Sequence, residues 1–502
     1  MDSKKLLKRF KDFQTKMFAY RHAMMVLNWD GSTFAPPKSA EGRAISASIL
    51  SGEMHKLMTA KKTGDMLEEL TKLKVIDKAT KAQAQELYRE YKKMTCIPIA
   101  EMMEFMKLRS ESETVWIEAR KRSDYSLFAP NLTKLIDYSK RFAKYIDPDA
   151  VPYNTLLDDY QQGLTMDTVD KFFAEVEKTV VPLNAYVAGS AKLESAKEIH
   201  ERINAKGFDA ERQAKLVDRL FELQGLPQDR CKIAVSAHPF TSGSNTNDIR
   251  YTVRYLEDNL ASSIYAALHE GGHAMYELNI NPEYNYTAIY DGASMTMHES
   301  QSRIYENNIG RSQDFSKHVY REAKEIFPDK LADVSEEEFY RYVNFSSPSF
   351  IRVEADELTY SLHIMVRYHI ERMIFNEGAD VNELPAIWNK KYEEFLGIAP
   401  PNDALGILQD VHWSNGLFGY FPTYSLGTAC SAQFEEAMSK KIDFAGALKS
   451  GNLAPITDWL KENVHKYGKL LTDDEIITAA TGKSFDPSAY TRYLDEKYRE
   501  LY

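Results

Sequence analysis

Cysteine is scarce: Cys96, Cys231 and Cys430 are the only three in 502 residues, widely separated and with no C-x-x-C pair. That count excludes a disulfide framework and a thiolate zinc site. Turn-forming residues are scarce too. The 23 glycines and 18 prolines amount to about 8% of the chain, against roughly 12% in an average protein, so a mostly helical chain is expected. Basic charge is not in excess. Lys+Arg number 63 against 74 Asp+Glu, a formal net charge of -11, which argues against nucleic acid as a partner. No run approaches the roughly 18 apolar residues needed to cross a membrane. Met1 to Phe10 carry charge but no apolar stretch, so no secretory signal is expected and a reducing cytoplasm is the expected compartment. What is present is an ordinary globular composition, 43% hydrophobic and 27% charged, long enough for a large buried core.

From Lys4 to Leu27 the residues Leu6, Leu7, Phe10, Phe13, Met17, Tyr20, Met24 and Leu27 recur every three or four positions, which predicts an amphipathic helix. Asn28-Trp29-Asp30-Gly31 is expected to end it, and Pro36-Pro37 to confirm the break. Similar patterns predict helices over 40–61, 78–94, 98–122 and 131–145, and the theme continues over 167–204. No repeat, low-complexity stretch or long linker marks a boundary. Residues 1–502 therefore read as a single domain, mainly helical, with two lobes around a cleft. One segment departs from the helical period: in Asp248 to Tyr255, Arg250, Thr252 and Arg254 alternate with Ile249, Tyr251, Val253 and Tyr255. Period two with β-branched and aromatic residues predicts a strand, with Ser242-Gly243-Ser244-Asn245 as the turn before it.

The most informative segment follows at once. His269-Glu270-Gly271-Gly272-His273 is an H-E-x-x-H motif. Residues i and i+4 share a helix face, so His269 and His273 can present imidazole nitrogens to one metal ion. Glu270 projects beside them, placed to act on water rather than to ligate. Each glycine costs a helix interior about 1 kcal/mol relative to alanine. Two in succession imply that another backbone or a ligand comes close there. A catalytic zinc site needs three protein ligands and one open position. The extended form H-E-x-x-H-x-x-G-x-x-H is absent, since position 276 is Tyr and position 279 is Asn. The third ligand is sought on the next predicted helix, residues 294–306, closed by Gly310. Either His298 or Glu299 could serve, and spacing does not choose, because neighbours on a helix diverge by about 100°. Glu299 could equally pair with Arg303 at i+4.

Several further motifs accompany this one. They are His298-Glu299-Ser300-Gln301-Ser302-Arg303, His238-Pro239-Phe240, the set Asp248, Arg250, Thr252 and Arg254, Ile351-Arg352-Val353-Glu354-Ala355-Asp356-Glu357, and Gly406 to Trp413 followed by Gly419-Tyr420-Phe421-Pro422-Thr423-Tyr424. Together they resemble the metallocarboxypeptidases of the thermostable carboxypeptidase Taq type, across most of the chain. The usual L-G-N after the last motif reads Leu426-Gly427-Thr428 here. The resemblance implies a mainly helical gluzincin-type fold with a short β hairpin or sheet beside the site and two lobes around a deep groove, like neurolysin and the angiotensin-converting enzymes. It implies a homodimer acting on peptides. It implies Glu299, not His298, as third ligand, and one zinc ion per subunit, with cobalt in some members.

Amide hydrolysis then assigns roles. Glu270 is the expected general base. Tyr420, in a turn resembling the tyrosine turn of related helical peptidases, is the candidate donor to the oxyanion, with Tyr424 and His412 as weaker candidates. A terminal carboxylate is best read by arginine, and Arg250, Arg254 and Arg352 are the candidates. The alternatives for these arginines are a solvated strand face or pairing with Asp248 or Glu354. His238, fixed before Pro239, could bind substrate or orient another group. Asp356 could support a metal-binding histidine. A metallo-oligopeptidase cutting inside short peptides is the alternative on the same site. A non-catalytic helical binding protein is the alternative from another class.

Overall fold

The computed structural model describes residues 3–502. The chain forms two compact units, each assembled from three separate stretches. Met1–Thr95, Glu201–Tyr340 and Phe434–Ser484 make the first unit; Cys96–His200, Arg341–Gln433 and Phe485–Tyr502 make the second. Neither is contiguous, so no shift in composition along the chain could mark a boundary.

Helices dominate both units. In the first, the opening helix spans Ser3–Ser32 and buries Leu6, Phe10, Phe13 and Met17 against Met58, Met66, Leu67, Leu70, Ala84 and Leu87. It runs through the expected stop at residues 28–31 and ends one residue beyond it. Trp29 is buried and meets the Phe240 ring edge-on at 5.7 Å, so packing outweighs the local breaker signal. The Asp30 carbonyl then closes the helix by accepting from Thr33, Phe34 and Ala35. The pattern over 40–61 resolves into Ala40–Thr59 and a separate helix Lys61–Lys72. Ala60 is extended between them, a break with neither glycine nor proline to announce it.

In the second unit, Ile99–Arg122 and Ala129–Ile146 follow the predicted bounds within about two residues. The segment 167–204 divides at Gly189 into Met166–Ala188 and Leu193–Asn204. Val169, Phe172, Phe173, Val176, Val180, Leu183 and Val187 form the buried stripe of the first of these. They share one core with Leu362, Val366, Trp388 and Tyr392.

The first unit also holds a three-stranded sheet of order β1-β3-β2. β1 (Cys231–Val235) runs parallel to β3 (Asp248–Val253), and β2 (Thr241–Asn245) antiparallel to it. The predicted strand is therefore present, ending two residues early. The expected turn at 242–245 is itself strand, with a register shift between Gly243 and Asn245, and the true turn falls at 246–247. Pairing with β3 imposes extension on a segment whose composition favours a turn. Nor is the polar side of β3 solvated. Thr252 is buried, its hydroxyl 2.7 Å from that of Ser236. Among the described residues no helix is long and apolar enough to cross a membrane.

Candidate metal centre

The H-E-x-x-H motif lies midway along the helix Leu260–Leu278. Asn259 caps that helix by accepting the Ser262 N–H at 3.1 Å. Ile264, Ala267, Leu268, Met275 and Leu278 are buried and fix its rotation. A Cβ on Gly272 would lie 2.5 Å from the Gln301 carbonyl oxygen and 2.7 Å from the Ser302 Cα. Only a residue without a side chain lets the helix Met295–Arg303 approach this closely. Gly271 makes the same room for Gln224, whose side chain donates to the Leu268 carbonyl at 3.0 Å. The second helix is held at its start by Ser294, which accepts the Met297 N–H at 3.0 Å and donates to Asp473. Burial pushes the Asp473 carboxyl up to about 7.

This crossing brings three donors together. His269 Nε2 is 3.8 Å and His273 Nε2 3.7 Å from Glu299 Oε2, and one donor atom from each residue lies within 4.8 Å of the others. These gaps are too long for hydrogen bonds. They suit donors around one ion, since ligands about 2.0–2.1 Å from a tetrahedral metal stand roughly 3.4 Å apart. Glu299 divides its oxygens: Oε2 faces the imidazoles, while Oε1 accepts from Arg303 Nε at 2.6 Å. The ion pair with Arg303 and a ligand role are thus compatible.

The far side of each imidazole is occupied as well. His269 Nδ1 is 2.8 Å from Glu306 Oε2. Burial would raise Glu306, but Arg303, His269 and Arg311 hold it far below the usual carboxylate range. His273 Nδ1 is 2.8 Å from His298 Nδ1, and His298 Nε2 is 3.6 Å from Glu277 Oε1. His298 therefore stands behind His273 and does not face the cluster. Burial, together with His298 and His269 nearby, keeps His273 well below its ordinary pKa, hence neutral. With Nε2 turned to the cluster, its proton belongs on Nδ1, donated to His298.

Glu270 is buried. The Thr241 hydroxyl on β2 lies 2.6 Å from its Oε2 and 3.0 Å from its carbonyl oxygen. Burial raises the Glu270 pKa, and His269 and Thr241 only partly offset it.

The remaining candidates fall into two places. In the first unit, His238 is exposed on the β1–β2 connection, where its carbonyl accepts the Ser236 hydroxyl at 2.6 Å. Arg250 is gripped two-pronged by Asp248 at 2.7 and 2.9 Å, and Arg254 is half-buried just beyond β3. In the second unit, Arg352 is buried and bonded to Asp410 Oδ1 at 3.0 and 2.8 Å and to the Tyr360 hydroxyl at 3.2 Å. Its partner is therefore Asp410, not Glu354. Arg352 also lies 5.2 Å over the Tyr424 ring. Tyr420 packs against Tyr424 at 5.2 Å and His412 at 5.5 Å. Burial pushes His412 down to about 4. Asp356 bonds Ser346, Ser347, Leu358 and Thr359. It holds its own turn, and the carboxylate behind a motif histidine is Glu306.

A family model described as carboxypeptidase Taq (M32) metallopeptidase matches residues 9–498. The chain belongs to that family. Carboxypeptidase 1 of Bacillus subtilis is 39% identical over 497 residues, 99% of this chain and 98% of that protein. Thermostable carboxypeptidase 1 of Pyrococcus furiosus is 34% identical over 486 residues, 96% of each. The crystal structure of the M32 carboxypeptidase from Deinococcus radiodurans R1 superposes with a TM-score of 0.94 at 32% identity, covering 99% of both chains. As an M32 member this chain is a metallocarboxypeptidase, a peptide hydrolase that depends on a metal ion.

Three neighbours of the candidate residues were not anticipated from the sequence: Thr241 beside Glu270, Glu306 behind His269 and Asp410 beside Arg352. Thr241 stands one residue before the segment 242–245 read as a turn. Glu306 sits in a π-helical stretch, Ile304–Gly310, where the wider turn displaces residues from the α-helical face that sequence spacing assumes. The close crossing at Gly272 gives a sharp prediction for the M32 centre. Gly272→Ala forces the two helices apart and moves Glu299 Oε2 off the imidazoles. Metal content after dialysis is expected to fall below one-tenth of wild type, with about 1–3 kcal/mol lost in urea unfolding. Full metal content in this variant would show that the crossing does not hold Glu299 in place.

Proposed function

We propose that this M32 metallocarboxypeptidase binds one zinc ion per subunit, or cobalt in its place, and removes C-terminal residues from peptides with broad specificity. The observation carrying the reading is the convergence of His269, His273 and Glu299 with Glu270 on the same helix. Two imidazoles and a carboxylate are a donor set that zinc accepts and that leaves a position open. When bound, the ion supplies Lewis acidity that lowers the pKa of water to about 7 and polarises the scissile carbonyl.

The chain's own groups do the rest. Glu270 takes the proton of the attacking water and hands it to the leaving amine. Burial supports this role, because a carboxylate raised above its ordinary range is a better base. Thr241, bonded to Oε2, holds the carboxylate in one rotamer. Tyr420 is assigned the hydroxyl that donates to the oxyanion, with Tyr424 and His412 packed about it. Arg352 is assigned the substrate's terminal carboxylate. Asp410 takes Arg352 on Oδ1 and Arg367 on Oδ2, the latter at 2.7 Å from Nε. Two buried guanidiniums thus share one carboxylate, an excess of positive charge that an incoming carboxylate would neutralise. Arg250, paired one-to-one with Asp248, lacks that excess and ranks below it, as does Arg254. His238 is left a role in binding the rest of the peptide. A homodimer in the cytoplasm completes the reading, on family membership and on cysteine usage respectively.

The test is a matched pair of peptides, one ending in a free carboxylate and one in an amide. Amidation removes the substrate carboxylate that would neutralise the excess charge at Arg352, and losing such a charged contact costs about 2–5 kcal/mol, so kcat/KM is expected to fall roughly thirty-fold or more. Equal cleavage of both, at internal bonds, would instead establish the oligopeptidase.

A further inference from the structure

We propose that Glu371 is the positioning residue for Tyr420, and that it acts by pinning both ends of the segment that presents the tyrosine. Glu371 lies in the last turn of the helix Tyr360–Arg372 and is fully buried. Its Oε1 accepts the Trp413 indole N–H at 2.7 Å. Its Oε2 accepts the Gly419 N–H and the Tyr153 hydroxyl, both at 2.8 Å. Trp413 opens the segment and Gly419 immediately precedes Tyr420, so one carboxylate fixes entry and exit together.

The surroundings are built for the same end. Gly419 has a φ of +84°, and a Cβ there would stand 2.8 Å from the Leu156 carbonyl carbon. Its backbone is therefore wedged against the segment that leads to Tyr160, whose ring meets Tyr420 edge-on at 4.9 Å. Among the described residues no cation bonds the carboxylate directly, and burial pushes it up to about 7. A group so costly to bury is retained for what it orients rather than for stability. The geometry also demands this side chain. Trp413 and Gly419 can only donate, and they approach different oxygens, so a glutamine must turn its NH2 toward one of them. Glu371→Gln thus breaks one anchor at constant shape.

The inference rests on the assignment of Tyr420 to the oxyanion. The experiment is a double-mutant cycle on the full-length, metal-loaded enzyme: wild type, Glu371→Gln, Tyr420→Phe and the double variant. For each, kcat, KM and metal content are measured with a free-carboxylate peptide. Tyr420→Phe is expected to lower kcat about a hundred-fold. Glu371→Gln is expected to lower kcat about ten-fold or more, with KM and metal content unchanged. In the Tyr420→Phe background the same change is expected to cost less than about two-fold, because the positioned hydroxyl is already gone. Trp413→Phe keeps an aromatic side chain, though a smaller one, and removes one donor. It gives the same cycle with a smaller effect, and serves if Glu371→Gln does not fold. Equal loss in both backgrounds, or none from Glu371→Gln and Trp413→Phe, overturns the inference while leaving Tyr420 in its role. Full kcat in Tyr420→Phe overturns the assignment of Tyr420 and this inference with it.

Discussion

Glu270→Gln is expected to keep its metal and lose about a thousand-fold in kcat, within the 10²–10⁴ range for loss of a positioned general base. The substitution preserves length and shape, and Thr241 can still donate to the amide oxygen as it does to Oε2. Neither imidazole nor Glu299 is touched, so the donor set proposed to hold the ion is intact. What disappears is a group able to take a proton from water and return it to the amine. Metal content measured beside kcat separates this outcome from simple loss of the ion. A variant that retains wild-type turnover would remove Glu270 from the reaction.

Glu299→Ala is expected to release the metal, and His298→Ala to retain most of it. Glu299 contributes the oxygen facing both Nε2 atoms and also neutralises Arg303. Its removal takes away the carboxylate proposed as third ligand and leaves a guanidinium beside the cation. Removing one partner of such a buried pair costs about 3–5 kcal/mol, or roughly 10²–10⁴ in affinity. His298 touches His273 only from behind. Groups in that position typically change affinity 10–100-fold, because the ligand's tautomer is no longer fixed although its nitrogen remains. Competition with a chelator of known affinity measures both variants. The reverse order would make His298 the ligand.

The motif helix, the helix of Glu299 and most of the strand predicted over 248–255 were legible in local pattern, the strand by its period and the second helix by its stop at Gly310. The sequence also carried the meaning of the paired glycines, since their cost inside a helix demands a close neighbour. Spacing alone left His298 and Glu299 equivalent; the distinction lies in how the second helix is rotated as it crosses Gly272, a tertiary fact. The short strand β1 was missed because five residues, Cys231–Val235, hold too few alternations to show a period. Arg352 was read against Glu354, two residues away, whereas its partner Asp410 lies 58 positions along the chain. Glu306 was hidden by a π turn, and Thr241 by its place beside a stretch, 242–245, whose composition signals a turn. In each case the deciding partner is distant in sequence.

The interleaved path of the chain bears on how this enzyme is made. The helix carrying Glu299 owes its start to Asp473, and Gln301 on the same helix is bonded by His465 at 2.9 Å. Both supports belong to the last stretch of the first unit. On the ribosome, the motif helix and its partner emerge some 160 residues before the groups that clamp them, so neither unit can close cotranslationally until most of the chain has been synthesised. Until then the crossing that brings Glu299 to the imidazoles lacks its outer clamps, so tight metal loading is expected to follow translation.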